Sequence, residues 1–334
     1  MTDVLELLKQ ADPVDAAQLR RETPPQGRLD AILADAPRVT GRRGSRRSLT
    51  RVLVLAGGLA SIGAITLALV AGGDRVDTAA AAALHKIADV ARSQPPTLAP
   101  GDHRFLYVRN EGQGFLAMPS KPPFHRGIRS TDDFGFLLDF RSTQEVWIGE
   151  NGGRVRNRAS TPTFPMPRDR QAWEAAGRPK LPPAYDDEMP LNSGIERLDI
   201  PTDPDALLAS LRRRAAESDE GNAWIFTSLI TDYLREWGVT PAQRAALFEA
   251  AARLPGIELL GKRTDPDGRA GVGFAMDDEH EHARHTLIID RDTGQLLAQI
   301  SETLPGGPIP AGARSYTTFS SPVLVEAAGE RPAG

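Results

Sequence analysis

At 334 residues the chain is long enough for one large domain or two small ones, and with 40% apolar and 25% charged residues most of it is expected to fold. It has no cysteine, which excludes disulfides, a lipidated cysteine, thiolate zinc sites and a cysteine nucleophile. The net charge of −4 divides unevenly, net +3 over residues 1–51 and net −7 over residues 74–334, so the larger part lacks the basic surface that nucleic acid demands and no nucleic-acid partner is expected.

In chain order, the first 51 residues carry short apolar faces: Val4, Leu5, Leu7 and Leu8, then Leu19, then Leu29, Ile32 and Leu33. Pro13, Pro24, Pro25 and Pro37 break them into short helices at most. Such a tail cannot bury a core. It is either a solvated leader or a segment that lays one helix in the groove of a cytosolic partner. It has neither His nor Cys, and so lacks the zinc-binding set found in many anti-sigma factors.

Val52–Gly73 reads VLVLAGGLASIGAITLALVAGG, 22 residues without a charge. A helix rising 1.5 Å per residue needs about 20 residues to cross a bilayer core. Arg42, Arg43, Arg46, Arg47 and Arg51 stand just before it, so the N-terminal side is expected in the cytoplasm and the C-terminal part outside. The run is too long and too far from the start for a cleavable signal peptide. Gly57, Gly58, Ser61 and Gly63 offer a small-residue face to a second membrane helix. The expected organisation is a tail over 1–51, a transmembrane helix over 52–73 and an extracytoplasmic domain over 74–334.

The rest reads as α+β. A helix over Thr78–Arg92, capped by Thr78, stops before Pro95 and Pro96, and a strand follows at His103–Arg109. Residues 110–133, rich in Gly and Pro, read as a long loop. Asp139–Ile148 alternates as a strand, and Asn151-Gly152-Gly153 turns it into a second strand at Arg154–Arg158. Residues 161–190 are Pro-rich around one short helix at Arg168–Ala176. Helices follow from Asp203-Pro204 to Glu217, over Ala223–Trp237, and from Thr240-Pro241 to a stop at Pro255. Strands are then expected at Ile257–Arg263, Gly271–Met276, His285–Asp290 and Gln295–Glu302, with a last one over Arg314–Val325. DPDG at 265–268 and DTG at 292–294 are turn sequences between them. The fold class is therefore one transmembrane helix followed by a curved antiparallel sheet packed against helices.

The stretches EVWIGENGGRVRNRASTPTFPMPRDRQAWEAAG, PTDPDALLASLRRRA, PAQRAALFEAAARLPGIELLGKRTDPDGRAGVGFAM and LIIDRDTGQLLAQ, with the Arg-rich segment before the apolar run, carry a resemblance that covers nearly the whole chain. The chain is similar to an actinobacterial family of single-pass membrane-anchored proteins of unknown function, often encoded near extracytoplasmic-function sigma factors. These motifs are structural, and the resemblance implies an envelope location without implying catalytic residues. A helix followed by a curved sheet also resembles the half-barrel of periplasmic lipoprotein carriers and of lipid-sensing regulators that attend anti-sigma factors. That likeness is one of fold alone.

Candidate sites are few. On a concave sheet Val272, Phe274 and Met276 would share a face with Leu287 and Ile289, or in the other register with Thr286 and Ile288, and line a groove for a lipid or peptide. DDEHEHARH at 277–285 places His280, His282 and His285 among four carboxylates, a set suited to zinc, against the plainer reading of a solvated hairpin tip without metal. Asp186, Asp187 and Glu188 read as a solvated acidic loop rather than a hydrolytic carboxylate pair. His103 and His125 have no evident catalytic partner, and Trp147, Trp173, Trp224 and Trp237 read as packing residues. There is no Gly-x-Ser-x-Gly elbow, phosphate loop or dinucleotide fingerprint, and no cofactor is implied. The expectation is a non-enzymatic, membrane-tethered domain that binds a ligand or protein. The alternative is a cell-surface hydrolase using acidic residues or a metal.

Overall fold

The computed structural model describes residues 75–96, 104–122, 124, 128, 130–195, 198–236 and 238–332, which belong to one compact unit, Leu55–Gly334. The tail, the apolar run Val52–Gly73 and the five flanking arginines lie outside the described residues, as do His103, His125 and Trp237. No helix among the described residues is long and apolar enough to cross a membrane.

Helix α1 (Thr78–Ser93) starts one residue earlier than its threonine suggests. The Asp77 carboxylate accepts from the N–H groups of Ala79 and Ala80 at 2.7 and 3.3 Å, and a negative cap suits the positive helix end better than a hydroxyl. Ala80, Leu84, Ile87, Ala88 and Ala91 recur at helical spacing and form its buried stripe.

Two strands of 15 residues each follow, β1 (Phe105–Pro119) and β2 (Phe134–Ile148), and here the expectation of a loop over 110–133 is corrected. Gly112 and Gly114 lie within β1 where neighbours crowd the backbone: a Cβ on Gly114 would stand 2.6 Å from the tip of the Phe140 ring, and one on Gly112 would stand 3.0 Å from the Tyr316 carbonyl oxygen. After the expected tight turn comes β3 (Gly153–Ala159). Helix α2 (Pro167–Ala175) packs on β2, with Phe164 bridging Phe136 and Trp173 at ring separations of 6.3 and 5.3 Å. The segment expected as an acidic loop then pairs with β3 as β4 (Tyr185–Leu191).

Helix α3 (Pro204–Glu217) is capped by Asp203 as expected. The next helix is composite: α4 (Asn222–Trp224), a π-helical stretch over Ile225–Ile230, and α5 (Thr231–Arg235). The Thr231 hydroxyl bonds the Phe226 carbonyl five residues back at 3.0 Å, and Gln299 reaches from the sheet to the Thr227 carbonyl at 3.2 Å. Helix α6 (Pro241–Ala251) opens with a capping box between Thr240 and Gln243, and the same Gln243 amide ties down the carbonyls of Leu198 and Ile200. A meander of β5 (Glu258–Thr264), β6 (Ala270–Asp278), β7 (Ala283–Ile289), β8 (Leu296–Thr303) and β9 (Arg314–Phe319) follows. The last expected strand is interrupted before Pro322 and resumes as β10 (Val323–Val325).

All ten strands join one antiparallel sheet in the order β4-β3-β2-β1-β9-β8-β7-β6-β5, with β10 beside β1. Two meanders thus meet along β1, which pairs Asn110–Gln113 with β9 and Phe105–Tyr107 with β10 on one edge and β2 on the other. The main core lies between one face of β5–β9 and the layer of α1, α3, the 222–235 helix and α6, where Leu84, Leu207, Phe226, Phe248, Phe274 and Leu287 are almost wholly buried. A fully buried side chain of this kind contributes about 1.5–3 kcal/mol relative to exposure.

Candidate functional site

The residues expected to line a ligand groove do share a face. Val272 pairs with Ile289 and Phe274 with Leu287, which selects Leu287 and Ile289 over Thr286 and Ile288. That face is filled by helices. Phe274 and Leu287 are 0% exposed, Met276 and Ile289 are buried, and all four belong to the main core. Only Val272 reaches a surface depression, a half-open hollow of about 290 Å³ between α1 and β6 shared with Ala83, Ile87 and Val90.

At the tip of the β6–β7 hairpin the structure brings together Asp278, Glu281 and His285, whose candidate ligand atoms all lie within 4.8 Å of one another. His280 is exposed, and His282, at φ 49°, packs its side chain against Gly306 and Gly307 instead. The solvated-tip expectation therefore holds for Glu279 and His280 but not for Asp278 and His285, which are 5% and 6% exposed. Asp278 points inward because its Oδ1 accepts from the N–H groups of His280 and Glu281 at 2.9 and 3.0 Å, an Asx turn that shapes the tip. Neither ring nitrogen of His285 has a hydrogen-bond partner among the described residues, while Nε2 stands 3.3 Å from Glu281 Oε2. The imidazole beside it holds the Glu281 carboxyl below its usual range.

The β1–β4 half holds two polar constructions. On one face Glu145, 0% exposed, accepts from Tyr107 Oη at 2.9 Å, Arg158 Nη2 at 3.1 Å, and Arg331 Nε and Nη2 at 2.6 and 2.7 Å. Burial alone would raise its pKa, but the donors outweigh it and hold the carboxyl below the usual range. Trp147, its ring tilted against Tyr107 with centroids 5.3 Å apart, donates its indole N–H to the Glu330 carbonyl, so the chain after β10 is strapped across this face. Toward the other end of β2, burial and the Asp169 charge push the Asp139 carboxyl up. On the opposite face a row of side-chain amides runs across the strands. Asn110 donates to Gln144 at 3.2 Å and Gln144 to Asn157 at 3.1 Å, and Asn157 stands in register with Asp187 of β4.

Strand β4 ends the sheet and pairs only with β3 among the described residues. Tyr185 to Pro190 are all exposed, with Tyr185 and Met189 on the face of Asp187. Asp186 takes a two-pronged pair from Arg156 at 2.7 Å, and Glu188 pairs with Arg154 at 2.8 Å. The three acids are thus strand residues displayed along an edge. Trp147 is buried, and Trp173 and Trp224 are half-buried packing residues. The Glu145 network and the amide row were invisible to sequence reasoning, since their members lie far apart in the chain.

No protein-family model matches the chain, and no curated protein does. Among solved structures it is similar to the crystal structure of MucB in complex with MucA(peri), at a TM-score of 0.24 and 13% identity, over 74% of this chain and 56% of that one. The chain thus spans little more than half the length of that protein, and a likeness of this size carries no functional argument.

Proposed function

We propose that the chain is a single-pass, membrane-tethered domain that works outside the cytoplasm by binding an extended segment of a protein partner, without catalysing a reaction. The tether rests on the sequence: 22 uncharged residues behind five arginines. The binding mode rests on β4, a strand whose second edge is unpaired among the described residues and whose residues Tyr185 to Pro190 are exposed on both faces. An incoming strand satisfies the unpaired backbone groups of such an edge and gains specificity from alternate side chains. Asp187, at the end of the amide row, favours an amide or basic side chain opposite it, and Tyr185 and Met189 offer apolar contact to either side. The expected groove face is occupied by helices, which weighs for a protein segment over a lipid.

Full-length protein in detergent micelles, panned against a displayed library of random decapeptides, tests this. Enrichment of extended peptides carrying Lys, Arg, Asn or Gln, lost on Asp187→Lys, is expected. No enrichment, or enrichment indifferent to Asp187→Lys and to Met189→Glu, refutes it.

A further inference from the structure

The carboxylate–imidazole cluster at the β6–β7 tip differs from an ordinary acidic turn in one respect. A histidine that is 6% exposed, with neither nitrogen hydrogen-bonded among the described residues, points into it. A buried imidazole whose nearest polar neighbour is a carboxylate at 3.3 Å, without a well-formed hydrogen bond, forfeits much of the hydration it had in the unfolded chain. A cation between His285, Glu281 and Asp278 would give the ring a full-strength partner and neutralise two carboxylates.

We propose that Asp278, Glu281 and His285 form a binding site for a divalent first-row transition ion of the zinc type. A zinc ion with ligands at about 2.0–2.1 Å in a tetrahedron sets neighbouring donors about 3.4 Å apart. The His285 Nε2 to Glu281 Oε2 separation is 3.3 Å, so this edge of the tetrahedron is already formed. The remaining adjustment falls within the 4.8 Å spread of the cluster, and Glu281, whose side chain is about half exposed, is free to make it. The imidazole selects against calcium and magnesium, which prefer oxygen alone, and the absence of thiolate selects against the softest ions. Surrounding structure holds the ligands. Asp278 is fixed by two backbone N–H bonds, and the tip is braced by the Leu304 N–H to His282 carbonyl bond at 2.6 Å and by Gly307 against the His282 side chain. Three protein ligands would leave a fourth position for a water. A bound ion ties the turn to β7 and stiffens the hairpin.

Chelator-stripped full-length protein in detergent micelles, titrated with zinc chloride in a calorimeter and melted with and without zinc, tests the site. One equivalent should bind and raise Tm, calcium and magnesium should do neither, and His280→Ala should behave as the parent. His285→Gln and Asp278→Asn should abolish binding. Should either misfold, Glu281→Gln, at an exposed position, decides the matter: it should weaken zinc binding by about tenfold or more. A bound cobalt ion should show visible absorption that Glu281→Gln alters. No zinc binding by the parent, or parent-like affinity in Glu281→Gln, overturns the proposal.

Discussion

Replacing Arg331 with glutamine removes the two-pronged clamp on a carboxylate that is wholly buried, and the structure bounds the cost. Hydrogen bonds to charged groups are worth about 1.5–3 kcal/mol each, and breaking a fully buried pair costs about 3–5 kcal/mol. Arg331 is itself 48% exposed, so water screens its end of the pair and part of this is lost. Tyr107 and Arg158 still serve Glu145 afterwards, which lowers the cost again. About 2 kcal/mol remains, corresponding to roughly 4–8 °C in Tm for a unit of this size. Arg331→Lys should fall between, since a point charge cannot reproduce the fork. Thermal unfolding by circular dichroism reads the shift, and a double-mutant cycle with Glu145→Gln isolates the coupling. The pH dependence supplies an internal check. The Glu145 pKa is lowered on folding, so its contribution is present above the unfolded carboxyl value and is lost as pH falls through the folded one. The parent should therefore lose stability in acid more steeply than Glu145→Gln. A Tm for Arg331→Gln within about 1 °C of the parent would show that the Arg331–Glu145 clamp contributes nothing to the fold.

Phe274→Ala should cost about 3–5 kcal/mol if the ring belongs to a packed core, against under about 1 kcal/mol if it lined an open groove, and chemical denaturation separates the two. Asp139 has its pKa raised on folding, so its effect on stability is fully favourable below the unfolded carboxyl value and lost as pH rises. Asp139→Asn should accordingly raise Tm at pH 7 and converge on the parent near pH 3, and a lower Tm at pH 7 would contradict the assignment. For topology, a reporter active only in the cytoplasm should work when fused before Arg42 and fail when fused after Gly334, whereas activity at both ends would exclude a single span.

What could be read from the sequence was whatever local chemistry decides. Asp203-Pro204 and Thr240-Pro241, with Gln243 three residues after the threonine, announce helix starts because capping is satisfied within one turn. Asn151-Gly152-Gly153 announces a hairpin because few residues tolerate the Gly152 φ of 137°. Failures came where distant partners decide. Gly112 and Gly114 read as loop residues until Phe140 and Tyr316 arrive beside them, and β4 exists only because β3 offers an edge. In the carboxylate–histidine stretch at 277–285 His285 stood among the expected candidates, but so did His280 and His282. The Asx turn at Asp278 rotates both away and brings Glu281 in, so the informative spacing was Asp-x-x-Glu followed by a histidine on the returning strand. Glu145 and Arg331 stand 186 residues apart, and no local pattern connects them.

Strand β1 is the first strand made and takes its second edge from the last two, with Arg109 N–H meeting Ser320 Oγ across 211 residues. Closing a chain of that length costs about 5 kcal/mol in entropy beyond the constant for any loop. Until β9 and β10 dock, that edge of β1 stays bare, and joining the halves is expected to be the slow step of folding. During that interval an identical β9–β10 segment from a second molecule fits the same edge as well as the chain's own. Refolding at high protein concentration should therefore yield swapped dimers that exchange the C-terminal strands, and dilution should suppress them.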